Sequence, residues 1–138
     1  VFYVNSTMKY VIIVCSCLIS MSQQITDQDA NPEFFQKVVE SADECVKLNN
    51  LQSDDLEDIF SDSSEISDDI KCYVKCILEK TGIMNADGEI DDVALKVSLP
   101  LTYADSKKDQ IVEKCAKQTT DDLCEAAFNL AKCCEDFQ

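Results

Sequence analysis

The chain has 138 residues, with 27 Asp and Glu against 12 basic residues, all of them Lys, and a formal net charge of −15. Nucleic acids and anionic membranes are held chiefly by Lys and Arg on phosphate, so this balance argues against both as partners. The sequence has no histidine, which removes the commonest general base, the Ser-His and Cys-His nucleophile pairs and imidazole metal ligation.

Met8-Lys9 is followed by an apolar stretch over 10–19 and then Ser20-Met21-Ser22, the layout of a secretory signal. Residues 1–7 therefore read as translated upstream sequence, 8–22 as a signal peptide, and 23–138 as one helical domain of ordinary size. The apolar stretch is about half of the roughly 20 residues that span a bilayer, so the expected product is secreted and extracellular, without membrane insertion. The signal would take Cys15, Cys17 and Lys9 with it, leaving seven cysteines of nine and 11 Lys against 27 acidic residues. The glycosylation sequon Asn5-Ser6-Thr7 would go too.

Two Gly and two Pro are few, and the periodicity is helical throughout. Over 32–50, Phe34, Phe35, Val38, Val39, Ala42, Cys45 and Val46 fall within an arc of about 140°. A short acidic helix is expected at 54–60, burying Leu56, Ile59 and Phe60, followed by a solvated Ser-Asp loop over 61–69. The next helix, 68–80, spreads Ile70, Tyr73, Val74, Ile77 and Leu78 over about 240° and is stopped by Thr81-Gly82. The stretch 85–92 resembles part of a calcium loop. Placing Gly88 sixth, however, puts Ile83 first and Ala94 twelfth, where oxygen ligands are required. No metal is expected there.

Val93, Leu95, Val97, Leu99 and Leu101 alternate like a strand, but Asp91-Asp92 ahead of them and Pro100 near their end suit a short helix. A lone strand would have no partner, so helix is the reading. The segment 105–118 buries Ile111, Val112, Cys115 and Ala116 within about 140°. A last helix, capped at Thr120 or Asp121 and running to about Cys134, has a polar side only about 100° wide and should sit centrally. The carboxylate pairs Asp54-Asp55, Glu57-Asp58 and Asp91-Asp92 fall on polar surfaces, not in the arrangement a glycosidase needs. An enzyme is not expected, and no cofactor is implied.

Cys45, Cys72, Cys76, Cys115, Cys124 and Cys133 are separated by 26, 3, 38, 8 and 8 residues. In an oxidising compartment these make three disulfides. Cys72 and Cys76 leave one face of a helix, whereas Cys124 and Cys133 leave opposite faces, so the last helix can be tied on two sides. Six cysteines allow 15 connectivities, and geometry alone does not choose among them.

This spacing, with Cys-Tyr-Val-Lys-Cys-Ile-Leu-Glu-Lys-Thr-Gly and Cys-Glu-Ala-Ala-Phe-Asn-Leu-Ala-Lys-Cys, resembles the insect odorant-binding proteins of the pheromone and general odorant-binding family. The resemblance implies an all-α, six-helix, disulfide-stapled domain enclosing an apolar cavity, with interlocked bridges Cys45–Cys76, Cys72–Cys124 and Cys115–Cys133. It leaves Cys134 as a buried small hydrophobe. Only Glu-Asp-Phe-Gln follows Cys134, shorter than the tail that often covers the cavity in this family.

The expected function is therefore a soluble carrier of small hydrophobic ligands, such as odorants, pheromones or fatty-acid-like molecules, in chemosensory lymph. A membrane odorant receptor is the further partner implied, with the carrier a monomer or weak homodimer. Residues expected to line the cavity are Leu56, Phe60, Tyr73, Ile77, Met84, Val93, Leu95, Val97, Ile111, Ala127 and Phe128. Tyr73 offers the polar contact, because its hydroxyl can bond a ligand oxygen while its ring packs in the wall. The alternative is a secreted effector or interaction protein, of venom, saliva or seminal fluid, built on the same scaffold and marked by an exposed apolar patch together with a filled interior.

Overall fold

The computed structural model describes residues 31–52, 66–117 and 120–137. Five helices follow one another there: α1 (Pro32–Leu48), α2 (Asp68–Lys80), α3 (Asp92–Ser98), α4 (Asp105–Cys115) and α5 (Leu123–Glu135). The expected acidic helix at 54–60 lies outside the described residues. The choice of helix for the ambiguous stretch near 93–101 agrees with α3, and α4 ends at Cys115, short of the expected 118.

Side chains cap four of the five described helix starts, all but that of α4, where free amides would otherwise lack partners. Asn31 Oδ1 accepts from the amides of Glu33 at 3.0 Å and Phe34 at 3.3 Å, with Pro32 fixing the first turn. Asp91 Oδ1 accepts from Ala94 N at 2.9 Å. Asp122, rather than Thr120 or Asp121, caps α5, accepting from the amides of Cys124 at 2.9 Å and Glu125 at 3.1 Å.

α2 ends in a Schellman turn. Ile83 N donates to Leu78 O at 2.9 Å and Gly82 N to Glu79 O at 3.2 Å, with Gly82 at φ 82° and Leu78 and Ile83 both buried beside the turn. The chain then doubles back through an isolated antiparallel bridge between Met84 and Ile90. Asn85 organises this turn, its Oδ1 accepting from the amides of Asp87 and Glu89 at 2.9 Å each.

α2 packs against α1 on one side and most extensively against α5 on the other, while α4 bridges α5 and α3. Three disulfides fix this order: Cys45–Cys76 joins α1 to α2, Cys72–Cys124 joins α2 to α5, and Cys115–Cys133 joins α4 to α5. The loops interlock, because Cys72 lies within the first and Cys124 within the third. The pairing implied by the family resemblance is the one observed. Among the described residues Cys134 is the free cysteine, and it is buried.

Gly82 and Gly88 both take left-handed backbone, φ 82° and 84°, but their surroundings differ. A Cβ on Gly82 would meet open space, whereas one on Gly88 would run into the Leu123 side chain. Gly82→Ala is expected to cost about 1 kcal/mol from backbone strain alone. Gly88→Ala should cost more, about 2 kcal/mol, because Leu123 must also move. Urea unfolding of the two variants checks the order, and equal losses would contradict it.

Candidate functional site: an apolar interior and an outer groove

Seven of the expected lining residues enter one contiguous core. Tyr73 and Ile77 stand one turn apart on α2, Leu95 comes from α3, Ile111 from α4, Ala127 and Phe128 from α5, and Met84 from the turn after α2. Tyr73, Ile77, Leu95, Ile111 and Ala127 are completely buried, and Met84 and Phe128 nearly so. Leu99, one turn beyond Leu95 and equally buried, is missing from the sequence-read set although its spacing could have found it. Leu56 and Phe60 lie outside the described residues.

Val93 and Val97, expected on the same interior wall, stand outside it. They are 73% and 48% exposed. The reason is helical geometry: Leu95 lies about 200° round the helix from Val93, so an alternating apolar run wound into a helix splits into two faces. Leu95 and Leu99 take the inner face, Val93 and Val97 the outer. With Leu101 and Val112, these two valines line a surface groove of about 500 Å³ between α3 and α4. Lys96 Nζ pairs with Asp109 Oδ1 at 2.7 Å beside it, and that hydrogen bond holds the ammonium above the usual lysine range.

Besides Tyr73, the buried side chains with polar groups among the described residues are Ser41, Thr81 and Ser98. Each donates to its own helix: Ser41 Oγ to Lys37 O at 2.6 Å, Thr81 Oγ1 to Ile77 O at 2.8 Å, and Ser98 Oγ to Leu95 O at 2.6 Å. Charge stays at the edge of the core. Lys71 is half-buried and hydrogen-bonds Glu125 across α2 and α5. Its Nζ also lies 6.0 Å from the centre of the Phe128 ring. The bond to Glu125 raises the Lys71 pKa above the usual value, outweighing the opposing effect of burial. Burial pushes the Cys134 thiol up to about 12, and burial, then the neighbouring Asp136, raises the Glu135 carboxyl.

These features define a disulfide-stapled, all-helical domain with an apolar interior. Comparison with known proteins specifies it further: the chain belongs to the PBP/GOBP family, whose model matches residues 27–136. It is similar to general odorant-binding protein 56a of Drosophila melanogaster, 24% identical over 133 residues covering 94% of each chain. It is also similar to general odorant-binding protein 19d of the same fly, 28% identical over 100 residues, covering 68% of this chain and 67% of that one. Among solved structures, the fatty acid binding protein OBP56a from the oral disk of the blowfly Phormia regina shares its fold, with TM-score 0.65 and 23% identity. That alignment covers 83% of this chain and 96% of the other. The Drosophila odorant-binding protein dmelOBP28a aligns with TM-score 0.63 and 27% identity, over 78% and 93% of the two chains.

Two outcomes follow. Cys134 should resist alkylation by iodoacetamide near neutral pH and react fully once denaturant opens the core; mass spectrometry of intact protein reads the difference, and prompt labelling of folded protein would contradict it. Lys71→Met should cost less than about 1 kcal/mol, because water still reaches the pair. A lysine pKa raised by folding contributes stability that is fully present below the unfolded value near 10.4 and lost above the folded one. The cost should therefore be constant from about pH 6 to 9, and a cost that changes across that window in denaturant titrations would contradict the assignment.

Proposed function

We propose that this protein is a secreted carrier of small hydrophobic molecules in chemosensory lymph, exported by the segment 8–22 and acting without catalysis. Its ligand chamber is walled by Tyr73, Ile77, Met84, Leu95, Ile111, Ala127 and Phe128. Leu56 and Phe60 belong to the proposal on sequence position alone. The observation that carries it is the convergence of these seven apolar side chains from four helices and the turn after α2, three of those helices being joined by disulfides. Each bridge contributes roughly 2–4 kcal/mol, though not additively when loops interlock. Such a frame resists collapse when a wall residue gives way to a ligand. Family membership and the names of the relatives support the same ligand class, and delivery to a membrane odorant receptor completes the reading.

A second reading has one observation in its favour. Val93, Val97 and Leu101 expose apolar surface along the outer groove, the kind of patch a secreted interaction protein would use.

Fluorescence of a hydrophobic probe, N-phenyl-1-naphthylamine, separates the two. The carrier should bind it saturably at roughly micromolar Kd and release it to long-chain alcohols and esters. Tyr73→Phe should weaken an alcohol competitor about fivefold relative to a hydrocarbon, the loss expected of one hydrogen bond. Probe binding that does not saturate, or that no apolar competitor reduces, favours the interaction protein. Binding should also persist down to about pH 5.5, because no imidazole titrates above that point and unperturbed carboxylates do so near 4. A loss centred near pH 6.5 would contradict this.

A further inference from the structure

We infer that the interior chamber selects ligands with an uncharged head group, such as alcohols, aldehydes or esters, and rejects the carboxylate of the same chain length. The inference rests on the carrier reading and narrows it.

All 12 basic residues are lysines. Eleven lie among the described residues, and none of these is buried. Lys71 comes near the ring of Phe128, but Glu125 already matches its charge. Lys75 is paired with Glu79 and Lys96 with Asp109, both at the protein's periphery. The twelfth, Lys9, falls in the expected signal segment. Residues 53–65 contain six acidic side chains and no basic one. Whatever conformation that stretch takes, it brings no cation to the chamber.

A carboxylate taken into this interior would therefore have no opposite charge to meet, and burying an unpaired charge is far more costly than burying a dipole. Hydrogen bonding points the same way. The buried hydroxyls of Thr81 and Ser98 donate to Ile77 O and Leu95 O within their own helices. What they have left is lone pairs, which can accept from an alcohol but offer nothing to a carboxylate, itself only an acceptor; the hydroxyl of Tyr73, also buried, is a single neutral donor and cannot match the full charge of a carboxylate. An acid can enter by first taking up a proton. With an ordinary carboxyl pKa near 4.3, only about one molecule in a thousand carries that proton at about pH 7.5, which sets the ceiling on discrimination at about a thousandfold. A head group left partly in water at the chamber mouth would lower it.

The blowfly protein of the same fold is described as a fatty acid binding protein, so the two chains should part company in head-group preference. The test is displacement of N-phenyl-1-naphthylamine from the disulfide-bonded protein by 1-dodecanol, methyl dodecanoate and dodecanoate at about pH 7.5. Each competitor is kept below its aggregation concentration, in about 0.15 M and about 0.5 M NaCl. Dodecanol and the methyl ester should displace the probe, and dodecanoate at least about tenfold more weakly. The gap should survive at high salt, because local desolvation, unlike the field of the acidic surface, is not screened. Dodecanoate within tenfold of dodecanol at either salt overturns the inference and leaves the carrier reading standing. No displacement by any of the three overturns both.

Discussion

The double fastening of α2 governs the rest of the structure. Cys72 and Cys76 are one turn apart on one face, and through them the helix is bonded to both α5 and α1. Only 4.5 Å separates the Cα atoms of Cys72 and Cys124, which brings the two backbones close at that level. Lys71 and Glu125, each the neighbour of a bridged cysteine, tie the same crossing electrostatically. Tyr73 and Ile77, each the residue after one of those cysteines, are thereby placed in the buried core. α5 then carries the restraint on to α4 through Cys133.

Against this frame α3 is the exception among the described helices. It has seven residues and no cysteine. What holds it is the burial of Leu95 and Leu99, the Asp91 cap and the pair between Lys96 and Asp109. These are weaker than a covalent bond and reversible, so α3 is where the described frame can yield at least cost.

Most of the helical frame was legible in the sequence because amphipathic arcs and caps are local signals. The span 68–80 coincides with α2, and the Thr81-Gly82 stop is the observed Schellman turn. The pairing of the cysteines was not legible in the spacing, since pairing depends on which helices meet; it came only with the resemblance to a family. The buried core was legible at Leu95 and Ile111, where each residue sits on the buried face of a one-sided helix. It failed at Val93 and Val97, because a list built from an alternating run keeps strand logic even after the run has been read as a helix. The cap of α5 slipped to Asp122, since Thr120, Asp121 and Asp122 are all competent caps and only the packing of the helix chooses among them.

Cys134 sits beside Cys133, so the protein carries an attacking group next to one of its own bridges. Attack on a disulfide needs the thiolate. With burial pushing the thiol up to about 12, that form is scarce near neutral pH. Exchange with the Cys115–Cys133 bridge is slowed accordingly. The core that excludes water from Cys134 therefore also acts as a kinetic lock on the connectivity: an odd cysteine, ordinarily a source of scrambling, is kept silent for as long as the domain stays folded.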